Sequence, residues 1–192
     1  MTSGPSLFDG TGTSADERRR FLDLLALSPA SRLFEAVDGK IGCPDESLDA
    51  LLCIDAIARV PDRAQLLSDW ARSVKPGGRI LYTDPAIVAG LVTSDELAMR
   101  SSMGSIVFSP QGENEVLIEC AGLRLLRADD ATDTIALAAA HLRTERAGGE
   151  RALVAAEGRE PYDARQRFLH IVHRLAAERR LARIAFLAEK MA

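Results

Sequence analysis

Three aspartates close apolar runs in this chain: Asp38 follows Leu33–Val37, Asp55 follows DALLCI, and Asp84 follows RILYT. If those runs are parallel strands, all three acids fall at carboxyl ends, where open α/β sheets hold their ligands. A carboxylate there can orient a substrate or take a proton from it. A strand-end Asp can equally cap the turn that follows. Asp55 is the strongest candidate for a catalytic group. Two cations lie near these acids in sequence, Arg59 and Arg100, and Arg59 could attract an anionic ligand or face solvent. His170 and His173 are three residues apart and could share a helix face. No third or fourth ligand accompanies them, so no metal site is expected. His173 is read as lining a pocket bounded by helices.

The elements that position these residues follow from pattern. Ser14 with Glu17 is a capping box that opens a helix. Asp49–Asp55 reads as a strand buried on both faces. Arg63–Val74 has Leu66, Leu67, Trp70 and Val74 at core spacing and predicts a helix. Lys75-Pro76-Gly77-Gly78 ends that helix and turns the chain into a strand over Arg79–Thr83. Thr93 with Glu96 starts a further helix, Ser101–Pro110 reads as a lid, and Gly112–Ala121 is a helix stopped by Gly122. A strand over Leu123–Ala128, helices near 133–147, 150–158 and 161–180, and a last strand over Leu181–Leu187 complete the order.

Bulk properties narrow the class. The 192 residues suffice for one domain with a real core, and 47% are hydrophobic. Net charge is -4 with no dominant basic stripe, which excludes a nucleic-acid partner from expectation. Cys43, Cys53 and Cys120 are too far apart to suggest a disulfide framework or a zinc site. No apolar leader or membrane-length run is visible, so a cytoplasmic protein with no membrane partner is expected. Residues 1–13 read as a flexible arm and 14–192 as one domain: an N-terminal helix (14–32), core strands (33–90), lid and helix (91–122), and a strand-helices-strand end (123–192).

The phrases FEAVDG, PDESLDALLCIDAI, VPDRAQLLSDWARSVKPGGRILYTDP, GENEVLIECAGLRLLRADDAT and LARIAFLAEK, in this order, resemble a class I S-adenosylmethionine-dependent methyltransferase. The subgroup they resemble is the small-molecule enzymes related to ubiquinone and sarcosine methylation. The resemblance covers about residues 34–190. It implies an α/β fold: a truncated Rossmann-like sheet, mostly parallel with an antiparallel last strand, flanking helices, and a helical insertion before that strand. It implies S-adenosylmethionine as cofactor, with Asp38, Gly39, Asp55, Ala56 and Ile57 on the cofactor side. On the substrate side it suggests Arg59, Asp84, Arg100 and His173, serving a small organic substrate.

One feature of that family has no clear counterpart. A glycine loop after a first strand normally brings backbone N–H groups close to the cofactor, which only glycine allows. Here FEAVDG, which resembles the end of a third strand, follows RRRFLDLLALSPASRL at once. Gly10 and Gly12 offer a second placement of the loop, against the reading of a plain N-terminal arm. Two functions stay open: methyl transfer, or a non-methylating relative that binds a small molecule in a cyclase-like or accessory role. The missing first strand also predicts an uncovered edge on the 49–55 strand. Either residues 33–37 or the partner in a homodimer would cover it.

Overall fold

In the computed structural model, which describes residues 14–39 and 41–191, strand β2 (Leu48–Cys53) has a neighbour on each side. One is β1 (Leu33–Glu35), parallel, with Leu33, Phe34 and Glu35 opposite Ala50, Leu51 and Leu52. The edge is therefore covered within the chain, by the first of the two expected means. The segment that resembles a third-strand end stands beside β2, where the family places its first strand. The arm over residues 1–13, with Gly10 and Gly12, lies outside the described residues.

Helix α1 (Ala15–Leu24) precedes β1; the Ser14 side chain accepts from the Glu17 N–H, while the Glu17 carboxylate turns to Arg183 and leaves the expected capping box half formed. After β2 come a short 3-10 turn (Ala56–Arg59), helix α2 (Arg63–Ser73) and strand β3 (Val74–Val88). Then follow α3 (Ser94–Arg100), β4 (Ser109–Pro110), α4 (Glu113–Cys120) and β5 (Leu123–Asp130). Helices α5 (Thr132–Gly148), α6 (Glu150–Glu157) and α7 (Arg159–Ala177) lead to β6 (Leu181–Lys190). The sheet order is β1-β2-β3-β6-β5, with β4 attached beside β3. β6 runs antiparallel to both β3 and β5, and the other pairings are parallel.

The Lys-Pro-Gly-Gly segment differs from expectation. Val74 already pairs with Leu48, ahead of the turn, and the next pair is Ala50 with Arg79. β2 advances by two residues while β3 advances by five, so the turn bulges out of a strand that has begun. Gly77 has φ +77°, and a Cβ on Gly78 would stand 2.8 Å from the Asp49 carbonyl oxygen, so both positions require glycine.

Alternation along the strands builds two core faces. Leu51, Cys53, Ile80, Tyr82, Phe186 and Ala188 face α2 and α4, whose Leu67, Trp70 and Ile118 are buried against them. Ala50, Leu52, Leu81, Ala185 and Leu187 face α1 through Phe21 and Leu25. With few aromatics available, three of them pack in series: Trp70 meets Tyr82 edge to face at a centroid separation of 5.6 Å, and Tyr82 stacks on Phe186 at 5.2 Å. A separate cluster joins α5 to α7 through Ile135, Ala139, Phe168, Leu169 and Val172. Among the described residues no helix is long and apolar enough to cross a membrane.

α3 is anchored at its start. Its capping box is complete, with Glu96 accepting from the Thr93 N–H at 2.9 Å. Glu96 also pairs with Arg174 of α7 and with Arg180. The Thr93 N–H and then Arg180 hold its carboxyl down to about 2, against an ordinary 4.5. A depressed acid contributes stability above its unfolded value and loses it as pH falls through its folded value. The melting-temperature gap between the parent and Glu96→Gln is therefore expected to close between pH 4.5 and about 2. A gap that persists unchanged at the acid end contradicts this assignment.

Candidate active site at the carboxyl edge

The three aspartates expected at strand ends have different surroundings, and Asp84 is not at an end, since β3 runs on to Val88. Asp55 closes β2 in a left-handed conformation, φ +58°, which a non-glycine residue adopts only when its surroundings hold it there. It is 4% exposed. Its N–H donates to Thr83 Oγ1 at 2.8 Å, and the Thr83 hydroxyl donates back to Asp55 Oδ1 at 2.6 Å. Arg183 of β6 donates from Nε to the same oxygen at 2.8 Å. Its Nη1 reaches Glu17 Oε1 of α1 at 2.9 Å and Thr134 Oγ1 of α5 at 2.8 Å. Burial pulls the Arg183 guanidinium down, but Asp55 and Glu17 outweigh it and the net shift is upward. Four elements are thus tied at one cation. Asp55 enters this site as the carboxylate of a buried ion pair, and its partners hold the strand end in shape.

Asp84 is fully buried in the middle of β3 and sits under the lid instead of opening to a ligand. Its Oδ2 accepts from Arg63, from the Ser109 hydroxyl at 2.8 Å and from Asn114 Nδ2 at 2.9 Å. Its Oδ1 accepts from the Ala86 N–H at 3.0 Å. Arg63 Nη2 continues to the Val107 carbonyl at 2.6 Å, and the Val107 N–H donates to the Ala58 carbonyl at 2.7 Å. These bonds fasten the far end of the 101–110 lid to the sheet.

Arg59 and Arg100 are brought together. With Met103, Gly104, Ser105, Ile106 and Phe168 they line a hollow of about 130 Å³ under the lid. Arg100 is 1% exposed, and its guanidinium lies 5.6 Å from the Phe168 ring centroid. Burial lowers it to about 10 while Asp55 and Asp84 act in the opposite direction, so it remains a cation at neutral pH. His173 stands apart from this hollow. Its Nδ1 lies 3.0 Å from the Ala136 carbonyl, where it donates and pins α7 to α5.

On the other side of the strand ends, Asp38 is exposed on the loop after β1. Gly39 has φ +81°, and a Cβ there would stand 3.1 Å from Val60. Its carbonyl accepts from Trp70 Nε1 at 2.8 Å. Ile41, Val60 and Leu66 then form the apolar walls of a second hollow, about 380 Å³, with Asp62, Gln65 and Asp69 at its polar rim. Ala56 and Ile57 are buried beneath. Burial pushes the Cys53 thiol up to about 12, so it behaves as a small apolar side chain.

Sequence reasoning missed Arg183, Glu17, Arg63, Ser109 and Asn114. One signal was present: Arg183 is the only charge in the run LARIAFLA. A lone charge in a strand with both neighbours apolar implies a buried partner.

Residues 16–82 match the family model described as "Methyltransferase domain". Over that stretch, a minor part of its length, the chain resembles a methyltransferase domain. Methyltransferase GfsG of Streptomyces halstedii is 33% identical over 95 residues, which is 46% of this chain and 33% of that protein. The 27-O-demethylrifamycin SV methyltransferase of Amycolatopsis mediterranei (strain S699) is 28% identical over 104 residues, 52% of this chain and 38% of that one. The chain thus spans well under half the length of these curated relatives. Among solved structures, a putative sarcosine dimethylglycine methyltransferase from Galdieria sulphuraria superposes with a TM-score of 0.71 at 19% identity, covering 92% of this chain and 65% of that one. The cyclopropane synthase MmaA2 from Mycobacterium tuberculosis superposes with a TM-score of 0.79 at 13% identity, covering 98% and 90%. These likenesses establish the methyltransferase fold.

Proposed function

We propose that this chain binds S-adenosylmethionine at the carboxyl edge of β1 and β2 and serves methyl transfer to a small organic molecule. The observation that carries the reading is the methyltransferase-domain match over residues 16–82, which lies on the strands that form this edge. The residues present fit the purine end of the cofactor. Apolar walls at Ile41, Val60 and Leu66 suit a flat ring, and the exposed Asp38 carboxylate is an acceptor for an exocyclic amine. The sulfonium of that cofactor supplies an electrophilic methyl group. The chain's own part is positioning. The hollow under the lid receives the substrate, Met103, Ile106 and Phe168 keep water from it, and Arg59 and Arg100 orient it by charge.

The Asp55–Arg183 pair favours a second reading. A strand end already filled by an internal ion pair suits a relative that keeps the fold and a small-molecule site without methylating. Calorimetric titration separates the two. Micromolar binding of S-adenosylmethionine, weakened about tenfold or more when Val60→Trp fills the purine hollow, supports methyl transfer. No heat at millimolar ligand, with the parent chain folded by circular dichroism, leaves the non-methylating reading.

A further inference from the structure

A third cavity, remote from the strand ends, has a composition that selects a ligand class. It is a groove of about 630 Å³ between α3, α5 and α7, within the roughly 300–1,000 Å³ typical of small-molecule sites. Met99, Ala147 and Ile171 provide its apolar surface. Arg143 and Thr144 of α5 face Gln166, Arg167 and His170 of α7 across it. Their spacing follows one face of each helix.

The electrostatics are one-sided. Arg143 Nη1 lies 2.7 Å from His170 Nδ1, and an arginine can only donate, so the imidazole accepts there and presents its Nε2–H. Burial, then Arg143 and Arg174, hold His170 below the ordinary imidazole value. Nearby glutamates are committed elsewhere: Glu96 to Arg174 and Arg180, and Glu157 to Arg146. Among the described residues neither Arg143 nor Arg167 has a carboxylate partner.

We infer that this groove binds a small carboxylate with an apolar body, its head between Arg143 and Arg167 and its body against Met99, Ala147 and Ile171. A planar guanidinium fork matches a carboxylate's two oxygens, and the His170 Nε2–H can supply a further donor. A single negative charge suits two arginines beside a neutral imidazole. The site does not depend on the methyl donor.

The test is calorimetry on the full chain with octanoate, and with octanol, acetate and octyl phosphate as comparisons. Octanoate is expected to bind at least about tenfold more tightly than octanol or acetate, since both head and body contribute. The double variant Arg143→Gln, Arg167→Gln is expected to lose about tenfold or more of that affinity. Ala147→Trp, an exposed position whose new side chain would fill the groove, is expected to abolish it. Equal binding of octanol, tighter binding of octyl phosphate, or full affinity in either variant would each overturn the assignment. A failure of S-adenosylmethionine to bind leaves it untouched.

Discussion

Arg183→Met is expected to destabilise the chain by about 3–5 kcal/mol, because it leaves Asp55 and Glu17 as uncompensated acids inside the protein. That is a large share of the roughly 5–15 kcal/mol that holds a domain folded. Arg183 is fully buried and binds α1, the end of β2 and the start of α5 at once, so the loss does not stay local. Urea denaturation at neutral pH measures it. The control is the triple change Arg183→Met, Asp55→Asn, Glu17→Gln, which removes the charges together and keeps a residue that tolerates the left-handed backbone at position 55. It is expected to recover much of the lost stability, since no buried charge is then left without its opposite. If Arg183→Met alone melts like the parent, the network does not hold the strand end.

Asp84→Ala is expected to cost a similar about 3–5 kcal/mol, and its effect has a direction in space. Asp84 collects Arg63, Ser109 and Asn114, and Arg63 carries the lid through the Val107 carbonyl. Losing the acid leaves a buried guanidinium and frees the segment that roofs the Arg59–Arg100 hollow. Limited proteolysis within residues 101–110 should accelerate before global unfolding. Asp84→Asn, which keeps the shape and some of the hydrogen bonds, should show less of both effects. Uniform destabilisation without faster cleavage in the lid would remove Asp84 as its anchor.

These two networks also mark where pattern reading stopped. The helix and strand order was legible because each element carries its own period. Leu66, Leu67 and Trp70 read as one helix face, and DALLCI reads as a strand buried on both faces. Caps were legible for the same local reason, and Thr93 with Glu96 forms both of its expected bonds. The position of β1 was less so. FEAVDG carries words of one strand and occupies the place of another, since three residues of apolar pattern do not specify a sheet neighbour. His173 was read as a pocket residue, and its half-buried ring is engaged by a carbonyl of α5 instead.

The chain's sequence by itself determined the α/β class, the element order, the acids at Asp38 and Asp55, and the family resemblance. Each of these rests on residues close together in sequence. Only the tertiary structure decided how Asp55 is engaged. Asp55 and Arg183 are 128 residues apart and meet because β6 inserts beside β3, placing Arg183 across Thr83 from the end of β2. A buried charge must find its opposite, and hydropathy reports that requirement without naming the partner. The order of strands in the sheet supplies the name.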